Sequence, residues 1–238
     1  MDNTKKLKIY LGISYIILIS IFLYFFFSKF SLRELSSYEF IKNNIDYFSD
    51  LKSKNYFLLL AVFFFFVIFW VLLLGFGSPV ALASGFIFGK WVGTIIITIS
   101  LSIGSLILYL ITIFFFKDLI HQKLENKMVF LKELFKKNEF LYFLIYRFIG
   151  GIPFFIANTL PAIFNLKIKN YFFGTLIGMT PQLFIMVSIG SGLEKIIDAN
   201  NNPPSFLEIL FSKDIYLPLI AFLFIVIISF FLKKKLYR

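Results

Sequence analysis

The sequence predicts an all-α integral membrane protein: about four full transmembrane helices plus two re-entrant helical hairpins in an inverted repeat, with interfacial amphipathic helices. Three observations lead there: long charge-free apolar runs, a crossing parity set by loop charge, and helix breakers clustered inside two of the runs. Residues are 59% hydrophobic with a mean hydropathy of +0.87, above the roughly 45–50% apolar share of soluble domains. The runs 9–27, 57–79, 80–89, 91–116, 170–193 and 215–232 carry no charge. Several reach the ~20 residues that a helix needs to cross the hydrocarbon layer.

The N-terminal "MDNTKKLKIYLGISYIILISIFLYFFF" sets three lysines before a long run rich in Phe and Tyr, with no A-x-A-like cleavage site. It reads as an uncleaved signal-anchor helix. Next, Leu32, Leu35, Tyr38, Ile41, Ile45, Phe48 and Leu51 recur every three or four positions behind the capping-box pattern "SLRE", which predicts a helix lying on the outer interface. Ile120, Leu124, Met128, Leu131 and Phe135 form a similar stripe in the middle loop. An ordinary surface helix packed on the bundle is an equally good reading of both. The expected organisation is 1–56 for the anchor and outer interfacial helix, 57–197 for the core with its two hairpins, and 198–238 for an outer loop and a last transmembrane helix.

Loop charge orients the chain. Lys5, Lys6 and Lys8, the six lysines between 117 and 139, and the C-terminal "KKKLYR" mark cytoplasmic segments. The loop 194–214 has two lysines against four acids and is expected outside. With the first helix leading outwards, 57–116 must cross only once, although it holds enough apolar residues to cross twice. The same holds for 140–193. Two re-entrant hairpins from opposite faces satisfy both constraints.

Each run carries the breakers that such a hairpin needs. "LLLGFGSPVALASGFIFGKW" clusters Gly75, Gly77, Ser78 and Pro79 at an apex, and "YRFIGGIPFFIANTLPAIFN" does the same with Gly150, Gly151 and Pro153. Non-helical backbone at membrane depth survives only against protein or water, and breakers at matching positions of two halves point to a binding site between them. "GSPVALASGF" and "GIPFFIANTL" align faintly, and each hairpin precedes a span containing Gly-Thr.

Arg147 is the one charge between Glu139 and Lys167. An arginine at the bilayer centre costs about 2.5–3.5 kcal/mol on insertion scales, so it faces a partner or a wet cavity, or it snorkels towards the Glu139 end. Asn158 and Gln182 either satisfy open backbone or contact substrate, and Ser78 completes the set of substrate-path candidates. Pro79, Pro153, Pro161 and Pro181 are architectural, each lacking an N–H. Ala81, Gly85, Gly89 and Gly93 recur every four residues, a small-residue stripe for close helix packing.

The apolar runs contain no acid, there is no cysteine, and His121 is the single histidine. No metal site, cofactor or catalytic set is therefore expected, and an enzyme is not expected. The net charge of +11 flanks the spans and serves topology and headgroup contact; nucleic acid is not an expected partner.

"GSPVALASGFIFGKWVGT" together with "YRFIGGIPFFIANTLPAIFNLKIKNYFFGTLIGMTPQLFIMVSIGSGLEKI" resembles the DedA superfamily, also called SNARE-associated or VTT-domain proteins, over about 57–197. The resemblance implies two re-entrant hairpins among membrane-spanning helices, and a role in moving lipids or lipid-linked carriers across a bilayer. Some bacterial members are associated with undecaprenyl-phosphate recycling and the proton-motive force, and eukaryotic relatives include scramblase-type proteins. Arg147, Pro153 and Asn158 fall on the family's arginine, proline and asparagine positions. The chain departs from many bacterial members in having no acid in its first hairpin, and it carries Gly150 where a proline is common. The expected function is flippase- or scramblase-like translocation of membrane lipids or prenyl-phosphate carriers in the cytoplasmic membrane, both termini inside. A non-transporting membrane-organisation protein and an ion or small-metabolite carrier are the alternatives, and a homo-oligomer is left open.

Overall fold

The structure, a computed structural model, describes residues 38–115, 129–199 and 211–236 throughout, and single positions between 10 and 28. Its helices are α1 (Tyr38–Leu72), α2 (Gly77–Phe115), α3 (Val129–Lys137), α4 (Glu139–Ile149), α5 (Phe154–Thr159), a 3-10 turn (Leu160–Phe164), α6 (Ile168–Ala199) and α7 (Lys213–Leu236). The all-helical expectation holds for the described residues. Among the described residues, three stretches are long and apolar enough to cross a membrane: Lys52–Leu72, Gly77–Phe115 and Ile168–Ile196. Side chains such as Phe57 (84% exposed), Phe65 and Phe224 lie open on the outside, a surface suited to lipid and costly in water.

Two backbone breaks divide the long helices. At Asn55 the dihedrals leave the helical region and α1 kinks, so the segment expected as a separate interfacial helix over 31–51 joins 56–72 in one bent element. Its capping box and the first part of the 120–135 stripe lie outside the described residues. At Gly89, φ is +72°, and α2 folds back on itself. The Ser84 hydroxyl donates to the Gly93 carbonyl across that bend at 2.8 Å. The small-residue stripe is thereby corrected: Gly85 and Gly93 sit in close packing, whereas Gly89 has open space beside it and serves as a junction.

The first hairpin comprises 56–72, a turn at 73–76 and 77–88. Tyr56 meets Phe88 edge-on at 6.3 Å, a methyl on Gly104 would stand 2.9 Å from Val71 Cβ, and Gly77 faces Leu101. Both arms therefore lie along the first half of 90–115, and the turn reaches its middle. In that turn Leu74 donates to Val71 and Gly75 to Trp70, the paired bonds that close a helix C-terminus through a left-handed residue. Leu74, at φ +62°, takes the position that Gly75 would suit better. The Tyr15 hydroxyl donates to the Leu72 carbonyl, satisfying one of the acceptors that a helix end leaves open.

The second hairpin comprises α4, a turn at 150–153 and α5 with its 3-10 extension. Asn138 caps α4 by accepting from the Leu141 N–H at 3.1 Å. Glu139 accepts from the Lys167 N–H and the Asn170 amide, which brings the ends of the hairpin and the start of α6 to one level. Gly174 lies against Phe143, Gly178 against Arg147 and Gly150 against Gln182. The hairpin thus lies beside the first half of α6 and turns near its middle. Gly150 and Gly151 have φ of +62° and +75°, values closed to proline, so glycine at 150 builds a different turn from the one a proline would.

The long segments run antiparallel: Tyr109 donates to the Leu166 carbonyl at one end, and Trp91 meets Phe184 at the other. Gly85 abuts the Val187 carbonyl and Gly190 the Leu82 carbonyl, so backbones touch where the first hairpin crosses α6. The apices meet at Gly77, where an added methyl would stand 3.7 Å from the Phe154 ring. α6 continues to Ala199, shortening the outer loop expected from 194.

Candidate functional site

Arg147 occupies the last turn of α4 and is 4% exposed. It does not snorkel. Gly178 leaves room for its stem, since a methyl there would stand 2.7 Å from Arg147 Cβ. The guanidinium lies 5.2 Å from the ring centroids of both Phe143 and Tyr171, within reach of cation–π attraction. Its Nη1 donates to Asn158 Oδ1 at 2.7 Å and its Nη2 to the Tyr171 hydroxyl at 2.7 Å. One bond closes the hairpin's arms on each other; the other ties the hairpin to α6.

Tyr171 extends the network. It stacks on Tyr109 at 4.1 Å, and its hydroxyl lies 3.2 Å from the Ser105 carbonyl and 3.0 Å from the Asn158 carbonyl. With a single proton it donates to one of these at a time.

Other hydroxyls in the long helices, including Ser100, Ser102, Thr112 and Ser188, donate to the carbonyl four residues back. Thr98, Ser105 and Thr175 do not: their hydroxyls, with Arg147 Nε and Asn158 Nδ2, are buried without a hydrogen-bond partner among the described residues. None of the partners of Arg147 there is a carboxylate. The site is a positive charge in apolar surroundings, rich in donors and held only by neutral groups.

The candidates separate. Arg147 and Asn158 come together. Gln182 donates to the Phe148 carbonyl, closing the end of α4, and lines a cavity of about 370 Å³ with Gly150, Gly151, Phe222 and Val226 of α7. Ser78 is exposed at the start of α2 and takes no part in the Arg147 network. Pro79, Pro153 and Pro161 stand at or near helix starts, while Pro181 lies inside α6. Tyr171, Ser105, Thr175 and the junction clamp Ser84 were not singled out by sequence. Tyr171 is one of twelve tyrosines and stands at the start of a span, where an interfacial aromatic is ordinary.

The sequence model of the VTT domain matches residues 75–192, from the first turn through most of α6. Among curated proteins, a Transmembrane protein 41 homolog of Caenorhabditis elegans is 24% identical over 155 residues. The alignment covers 62% of each chain, so this one spans less than two thirds of that relative. No solved structure matches. With its apolar helices and the domain match together, this is a membrane protein of the DedA, or SNARE-associated, VTT-domain superfamily.

Proposed function

We propose that this protein moves phosphate-bearing lipids between the leaflets of a cell membrane, without chemical conversion, along a polar seam where two re-entrant hairpins meet. On this reading the hairpins enter from opposite faces, with the Lys-rich 117–139 segment and both termini cytoplasmic. The single observation that carries it is Arg147: a buried guanidinium with an unspent N–H and no carboxylate among its described partners. An uncompensated cation at such depth is costly, and an anionic headgroup supplies charge-assisted acceptors for it. The family match and the relative support transport of this kind.

The test is Asn158→Asp, assayed in proteoliposomes by headgroup accessibility with and without a proton gradient. The new carboxylate would stand where Asn158 Oδ1 already accepts from Nη1 at 2.7 Å and would neutralise the guanidinium in place. The variant is expected to stay folded and to lose translocation at least ten-fold, as does Arg147→Ala. A second reading, a non-transporting membrane protein, draws on the same two bonds as a mere latch. Wild-type rates in folded Asn158→Asp would sink the transport role of Arg147.

A further inference from the structure

Each hairpin joins its long helix in the same way. After 77–88 come one left-handed residue, Gly89 (φ +72°), and then Lys90; after the 3-10 turn come Asn165 (φ +51°), Leu166 and Lys167. The two junctions lie at opposite ends of the antiparallel pair, and each lines a cavity. The first, about 280 Å³, has Lys90, Lys213, Asp214 and Ser191 beside Phe184 and Leu217. The second, about 430 Å³, has Lys136, Lys137, Glu139 and Lys167 beside Phe135 and Phe164.

The charge balance matches as well. At the first junction Asp214 is paired with Lys195 at 2.7 Å, leaving Lys90 and Lys213 uncompensated by the carboxylate in the lining. At the second, Glu139 Oε1 is taken by the Lys167 N–H and the Asn170 amide, against three lysine ammonium groups. Both linings combine lysines with apolar side chains. The first is lined by α6 and α7, as is the separate cavity at Gln182, Phe222 and Val226. A soluble anion would use the lysines alone; a lipid phosphate uses the lysines and the apolar wall.

We propose that these junctions are paired docking sites for the phosphate headgroup of an anionic lipid, one at each membrane face. Their role as the two ends of a route rests on the transport reading; binding itself does not. Basic pockets at the ends of membrane helices are suited to such headgroups, and the repeat places one where each leaflet would present them.

The test is native mass spectrometry of the full-length chain in detergent with dioctanoyl phosphatidate, with dioctanoylglycerol and inorganic phosphate as separate arms. Wild type is expected to retain two phosphatidates. Lys90→Gln with Lys213→Gln should retain one, the triple Lys136→Gln, Lys137→Gln, Lys167→Gln should retain one, and the combined variant none. Lys169→Gln, exposed near the second junction but outside its lining, should retain both. Phosphatidate retention unchanged in the combined variant, or equal losses with Lys169→Gln, would overturn the proposal. So would dioctanoylglycerol held as well as phosphatidate, or displacement of phosphatidate by equimolar inorganic phosphate. Adducts lost in the combined variant with intact proteoliposome transport would leave the binding sites but remove them from the route; wild-type adducts without transport would remove the transport reading alone.

Discussion

Arg147, Tyr171 and Asn158 show how one buried charge is held without a counter-ion among the described residues. Flanking rings and two neutral acceptors spread the cost, and each bond to a charged donor is worth about 1.5–3 kcal/mol in proteins generally. Tyr171→Phe keeps the ring and deletes the acceptor of the 2.7 Å Nη2 bond. It is expected to lower stability by about 1–3 kcal/mol, measured by unfolding in mixed micelles. No change would show that the bond contributes nothing net. Arg147 and Asn158 were visible in the sequence because a charge and an amide stand out among phenylalanines. Tyr171 was not, because its role comes from a fold-back that brings residue 171 to residue 147. At Leu74 the surprise runs the other way. A bulky residue occupies the left-handed position beside an available glycine, and its side chain packs against the core of Val67, Val71 and Val80, so packing outweighs a backbone preference of about 1–2 kcal/mol.

Elements are set against one another by glycines, and the reason differs by position. At Gly85 an added methyl meets the Val187 backbone carbonyl, which cannot rotate away; at Gly89 it meets open space but a left-handed φ. Gly85→Ala is therefore expected to destabilise by about 2 kcal/mol or more, as overpacking does, and Gly89→Ala by only about 1–2 kcal/mol from backbone strain. Thermal unfolding of the two purified variants checks the order; a reversed order would mean that the first hairpin is not held by contact with α6. The breakers made the turns legible in the sequence, since Gly150–Pro153 and the Gly75 region are where the chain reverses. The Asn55 kink was not legible. Asparagine marks no unique conformation, and no glycine or proline stands beside it.

Among the described residues, 56–115 and 139–199 form two similar halves, each a hairpin followed by a long helical segment. Parity from loop charge demanded such a plan, whereas the partnering of α7 with α6 left no pattern in the sequence beyond apolarity. The chain contains no cysteine, so single cysteines can report which side each hairpin base faces. Asn55→Cys, beside the first base, and Lys169→Cys, beside the second, are both exposed. An impermeant maleimide is expected to label the first in intact cells and the second only after permeabilisation. Labelling of both from one side would refute the opposed arrangement.

The order of synthesis now matters. The first hairpin has no charge between 57 and 89 and can partition into the bilayer as soon as it is made. The second carries Arg147, whose acceptor Tyr171 emerges 24 residues later. Until then the guanidinium lacks one of its two acceptors, and lodging it in lipid costs about 2.5–3.5 kcal/mol on insertion scales. On the proposed orientation, the second hairpin is expected to wait at the cytoplasmic surface until α6 is threaded, then fold in against it. The same maleimide, applied to released chains truncated after Asn170 with a cysteine at Gly151, is expected to label that position faster than in the full-length protein. Biogenesis is then expected to run in two steps, timed by a single tyrosine.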